Sequence, residues 1–129
     1  MAHPITIAIG DTSLATSRRL AEAFQAEGLR VVAVCHDGLA LVEAAVAHQP
    51  SLLVLDLILP KLTGLQVIEA LRRKGMDPTF VVASAISAQS RVVAAKEAGA
   101  SFYILKPIEP SRLGQVASSM SKKLANEAR

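Results

Sequence analysis

The chain has 129 residues, 51% of them hydrophobic, 19% charged and 3% aromatic, which fits one domain with an interior of Ala, Val, Leu and Ile and excludes a second domain. The formal net charge of +3 is spread over separated pairs such as Arg18 with Arg19, Arg72 with Arg73 and Lys122 with Lys123, with few aromatic residues between them, so direct nucleic-acid binding by this domain is not expected. The apolar runs fall well short of the ~20 residues of a membrane helix and the start lacks a signal-peptide pattern, which predicts a cytoplasmic protein without membrane association.

The first β-type run is Ile5 to Ile9, ending in Gly10 and Asp11. A helix follows, marked by Leu14, Leu20, Ala21 and Phe24, with Thr12 or Ser13 as N-cap and Gly28 as stop signal. The second strand runs from Arg30 to Val34. Next to it is Cys35, whose solitude excludes an internal disulfide and a cysteine-based zinc cluster and which reads as buried packing. The second helix begins after Asp37 and Gly38, carries Leu39, Val42 and Val46, and ends before Pro50. The third strand is Leu52 to Leu55, and the third helix, after Gly64, shows Leu65, Ile68 and Leu71 before Arg72, Arg73, Lys74 and Gly75. Phe80 to Ala83 form the fourth strand. The fourth helix starts after Ser87, offers Val92, Val93 and Ala95, and stops at Gly99. Ser101 to Leu105 is the fifth strand, and the last helix, with Pro110 in its first turn, has the clearest stripe: Leu113, Val116, Ala117, Met120 and Leu124. Strand then helix, repeated throughout, predicts an α/β fold with an open parallel sheet covered on both faces.

In such a sheet the site lies at the carboxyl ends of the strands. Asp11, Asp56, Ser84 and Lys106 stand there in turn, after the first, third, fourth and fifth strands. Asp56 interrupts a run of Leu, Val and Ile, where a buried carboxylate costs several kcal/mol unless Lys106 or a cation compensates it. Each residue alone has a structural explanation as a cap, a loop bond or an ion pair; their joint placement is what points to chemistry. His3, His36 and His48 form no ligand set and read as solvated positions.

Through LVLDLILPKLTG at residues 53–64, VVASA at 81–85 and GASFYILKP at 99–107, the chain resembles the receiver domain of two-component response regulators over essentially its whole length, 1–129. The last two motifs are similar to receivers of sporulation-type transcription regulators. The resemblance implies a flavodoxin-like doubly wound (βα)5 sheet of order 2-1-3-4-5, with Asp56 as phosphoacceptor, Lys106 holding a phosphoryl oxygen, Ser84 as switch hydroxyl and Tyr103 as switch aromatic turning inward after transfer. It further implies Mg²⁺ held by Asp11, Asp56 and the Ile58 backbone carbonyl, a path for the donor past the small Ala85, and a cis bond before Pro107. Gly64 is expected to serve a turn of positive φ. The implied partners are a histidine kinase or phosphotransfer protein, and a homodimer through the fourth helix, fifth strand and fifth helix, where Arg91, Lys96 and Ile108 lie. The implied chain is not an enzyme beyond assisting its own phosphotransfer and slow dephosphorylation. Its polar end, 118–129, fits the close of the last helix and either the end of a stand-alone receiver or a linker to an output domain.

One departure stands out: most receivers carry two adjacent acids after the first strand, and here Gly10 precedes Asp11. Weakened magnesium binding with phosphorylation retained is the expectation, and Gly10→Asp is expected to tighten it. The alternative is an atypical, phosphorylation-independent receiver acting as a protein-binding module. Ile58 and Ile86 flank the approach of a hydrolytic water and offer it no polar group, which predicts a long-lived phosphoryl state. Enzymes of related folds fit poorly. A dinucleotide fold lacks its glycine fingerprint, a Walker-type loop is absent, and a haloacid-dehalogenase-like phosphatase would need an acid where Ile58 stands.

Overall fold

The computed structural model of the chain describes residues 5–127. Strands β1 (Thr6–Gly10), β2 (Arg30–Cys35), β3 (Leu52–Leu55), β4 (Thr79–Ser84) and β5 (Ala100–Leu105) alternate with helices α1 (Leu14–Ala26), α2 (Gly38–His48), α3 (Gly64–Arg73), α4 (Gln89–Ala98) and α5 (Pro110–Glu127). Every strand pair is parallel, in the order β2-β1-β3-β4-β5. This is the flavodoxin-like arrangement expected above. Several strands reach a residue further than their apolar runs because ladder pairing continues: Gly10 pairs with Cys35 and Leu55, and Ser84 with Leu105.

Side chains alternate across a strand, so the continuous apolar runs feed two cores. Ala8, Leu53, Leu55 and Val82 join residues of α2 and α3 in one cluster. Ile7, Ile9, Val54 and Val81 join α1 and α5 in the other. Local signals set the helix starts. Ser13, not Thr12, caps α1 by accepting from the Thr16 N–H, and Asp37 caps α2 through the Ala40 N–H. Thr63 and Gln66 form a reciprocal capping box on α3.

Two apolar stripes fall differently from their spacing. Leu14 is 67% exposed, and α2 buries Leu41, Val42 and Ala45 while Leu39 and Val46 face outward. Because α2 is apolar nearly all round, periodicity could not select its inner face; the seating of Gly38 against the Leu62 backbone fixes its rotation. In α4 only Ala95 is buried, whereas α5 buries Leu113, Ala117, Met120 and Leu124. Residues 118–127 therefore continue a packed helix up to Leu124. His3 and residues 128–129 lie outside the described residues. Among those described, no helix is long and apolar enough to cross a membrane.

Candidate functional site

Backbone bonds running just past the strands bring the polar residues to one edge. The Asp56 N–H donates to the Gly10 carbonyl at 3.0 Å, the Asp11 N–H to the Cys35 carbonyl at 3.0 Å, and the Lys106 N–H to the Ser84 carbonyl at 2.9 Å. Each carboxylate is then fixed by a local turn: Asp11 Oδ1 accepts from the Ser13 N–H at 2.8 Å and Asp56 Oδ1 from the Ile58 N–H at 3.1 Å. Both Oδ2 atoms are left facing the Lys106 ammonium, which donates to Asp11 and, at 2.7 Å, to Asp56.

Asp11 is 1% exposed and Asp56 8%, a depth at which two carboxylates need a cation. Lys106 supplies it. Burial pulls the ammonium pKa down, but the hydrogen bonds to Asp11 and Asp56, and their charges, outweigh burial and hold it above the ordinary lysine value. Its charge, and the stability that charge gives, is therefore fully present at neutral pH and is lost only as pH rises through a pKa above the usual ~10.4. The sequence thus correctly placed Asp11, Asp56 and Lys106 in one cluster. Beside it, Ala85, Lys106 and Pro107 line an open cavity of about 250 Å³ together with Thr16, Arg19 and Leu113. The Lys106–Pro107 bond is cis.

Ser84 and Tyr103 meet at one residue of the loop between β4 and α4. Ser84 Oγ accepts from the Ile86 N–H at 3.3 Å, and the Tyr103 hydroxyl donates to the Ile86 carbonyl at 2.5 Å. Tyr103 packs against the core, as does the Ile86 side chain, so of the two isoleucines it is Ile58, at 62% exposure, that stands out from the surface.

Two readings from sequence change, those of Gly64 and Cys35. Gly64 does not have positive φ; a Cβ there would strike the Asp56 carbonyl oxygen and lie 2.8 Å from Leu57 Cα, so close packing demands glycine. The left-handed residue of that loop is Lys61, at φ 69°. His36 is exposed, as its reading as a solvated position expects, and in addition places Nδ1 2.9 Å from the Asp11 carbonyl oxygen. Nothing in its sequence spacing could reveal a contact made across two strand ends. Cys35 is partly rather than fully buried, and burial together with the charge of Asp37 raises its pKa, as suits an inert packing thiol.

A divalent cation is compatible with this donor set. The two Oδ2 atoms already converge on a single positive group, and hard oxygen ligands suit magnesium. Among the described residues no cluster of three or more His, Cys, Asp and Glu side chains forms, so protein carboxylates provide only part of an octahedral shell.

Comparison with known proteins agrees with this arrangement. Residues 7–118 match the response regulator receiver domain family. The chain is 35% identical over 97% of its length to a protein-glutamate methylesterase/protein-glutamine glutaminase of Myxococcus xanthus and spans 37% of that protein. It is 28% identical over 88% of its length to the chemotaxis protein CheY of Bacillus subtilis, covering 92% of it. The receiver domain of AraT, a response regulator from Geobacillus stearothermophilus, superposes with a TM-score of 0.87 at 26% identity, over 98% of this chain and all of that one. The chain therefore belongs to the response regulator receiver domain family, the phosphoryl-accepting module of two-component signalling.

Proposed function

We propose that Asp56 is the phosphoacceptor and that its modification is read at the surface around α4, β5 and α5. The observation that carries this is the convergence of the buried Asp56 and Asp11 carboxylates on one Lys106 ammonium. In the proposed step an Asp56 oxygen bonds to phosphorus while the bond from phosphorus to the donor breaks, the leaving group taking the electron pair. The donor is a histidine kinase or phosphotransfer protein. Lys106 stays charged throughout and holds a phosphoryl oxygen as it swings from the carboxylate. Asp11, Asp56 and the Ile58 carbonyl would hold Mg²⁺, which supplies screening of the negative charge between acceptor and donor. With Gly10 in place of an acid, the site presents fewer anionic ligands and binds that ion weakly.

Ser84 is the group that responds. In the proposed switch its hydroxyl turns toward a phosphoryl oxygen and away from the Ile86 N–H, which releases half of the pair of bonds by which Ser84 and Tyr103 hold Ile86. The loop and α4, held to the core by the buried Ala95 and the partly buried Ile86 and Ala98, then shift. Partners read that surface, and a homodimer through α4, β5 and α5 is the proposed product. The chain acts as a cytoplasmic receiver and assists only its own phosphotransfer and dephosphorylation. An output domain beyond residue 129 fits its coverage of the Myxococcus relative.

Intact mass after incubation with acetyl phosphate and excess Mg²⁺ tests the assignment. One phosphoryl adduct is expected, absent from Asp56→Ala. No adduct at any Mg²⁺ concentration from a folded protein would favour the phosphorylation-independent binding module, the reading that Gly10 supports. The same phosphorylated sample reads two further expectations. Ile58 provides no polar group to orient water, so the adduct should persist for hours, and loss within minutes would overturn that. Gel filtration should show a dimer only with the adduct.

A further inference from the structure

We infer that His36 is a positioning residue for the acid site: from the neighbouring strand end its Nδ1–H fixes the peptide between Asp11 and Thr12, and so sets the direction of the Asp11 carboxylate. This rests on the metal site proposed above. His36 Nδ1 lies 2.9 Å from the Asp11 carbonyl oxygen. A carbonyl only accepts, so Nδ1 carries the hydrogen and the ring donates. That carbonyl belongs to the turn that orients the carboxylate. The Ser13 N–H closes the turn by donating to Asp11 Oδ1 at 2.8 Å, and the peptide between Asp11 and Thr12 is part of the closed ring. Rotating that peptide would carry the Ser13 N–H away from Oδ1 and turn Oδ2 away from the Lys106 ammonium.

His36 has a firm mount. It stands between Cys35, whose carbonyl accepts from the Asp11 N–H at 3.0 Å, and Asp37, whose Oδ1 accepts from the Ala40 N–H at 2.7 Å at the start of α2. The Gly38 N–H then donates to the Pro60 carbonyl at 2.9 Å. The short turn from Cys35 to Gly38 thus braces the Asp11 segment on one side and the loop that follows Asp56 and Ile58 on the other. In the metal-free protein Lys106 also holds Asp11. With Mg²⁺ in place of the ammonium, the aim of Asp11 depends on its turn alone, so the His36 bond counts for more and reaches Mg²⁺ affinity although His36 is no ligand.

Calorimetric Mg²⁺ titration of the full chain, and amide exchange at Ser13 in metal-free buffer, test this in wild type, His36→Asn, His36→Gln and His36→Leu. An asparagine amide nitrogen takes the place of Nδ1, whereas a glutamine amide reaches the place of Nε2 and leucine has no donor. His36→Asn should bind Mg²⁺ within about twofold of wild type, and His36→Gln and His36→Leu about fivefold more weakly, the worth of one net hydrogen bond. Exchange at Ser13 should quicken by about the same factor in the glutamine and leucine variants and stay near wild type with asparagine. A merely structural role would not separate asparagine from glutamine, since position 36 is exposed and both fit there. Wild-type exchange in His36→Leu would overturn the inference, as would wild-type affinity in that variant while Asp11→Asn binds weakly, or an asparagine variant no better than leucine. If Asp11→Asn kept wild-type Mg²⁺ affinity, the proposed metal site would fall instead, and exchange at Ser13 would still decide whether His36 holds the turn.

Discussion

Replacing Lys106 by methionine is expected to lower metal-free stability by about 3 kcal/mol, the low end for a broken buried ion pair because the lysine side chain is 17% exposed. The cause is charge. Asp11 and Asp56 direct one oxygen each at the same ammonium, and their other oxygens are tied to backbone N–H groups and cannot turn away. Without Lys106 the two carboxylates face each other with no cation. Saturating Mg²⁺ should then recover most of the lost stability, because an ion that binds only the folded state stabilises it by linkage. Phosphoryl transfer to Asp56 should nevertheless fall by about 10²–10³-fold, the usual cost of removing a fixed positive group from where charge shifts. Urea unfolding with and without Mg²⁺, and the rate of adduct formation by mass, measure the two effects. A variant as stable as wild type in metal-free buffer would show that the carboxylates do not depend on Lys106.

The second large effect is steric. Gly64→Ala should cost about 3 kcal/mol, at the upper end for overpacking, because the new methyl meets main chain instead of a side chain that can rotate. Its obstacles, the Asp56 carbonyl oxygen and Leu57 Cα, belong to the segment that carries the proposed phosphoacceptor. The Gly64 N–H also donates to the Leu57 carbonyl at 2.9 Å, so α3 cannot back away without losing that bond. Any relief must therefore displace Asp56. The folded fraction of Gly64→Ala is expected to form the Asp56 adduct more slowly than wild type, whereas Gly28→Ala, at φ 86° and with nothing within 4 Å, should lose stability through backbone strain without slowing it. Denaturant midpoints and adduct rates for both variants separate the two causes. Equal adduct rates in Gly64→Ala and wild type would remove the claimed link between this packing and the site.

Much of the molecule was decided locally and so was legible in the chain. Strand-length apolar runs alternating with capped helical stripes permit only a parallel sheet with helices on both faces, and polar residues that interrupt such runs at their carboxyl ends must gather at one edge. That is why Asp11, Asp56, Ser84 and Lys106 could be placed before any coordinates. Tertiary structure decided what depends on distance between segments remote in sequence. It turned the Leu41 face of α2 inward where periodicity suggested Leu39 and Val46, seated Gly64 against Asp56, and brought His36 to the Asp11 carbonyl. It also placed Leu41 over Gly10, a packing contact for which spacing carries no signal, because the period of a nearly all-apolar helix says that it is buried but not by which side.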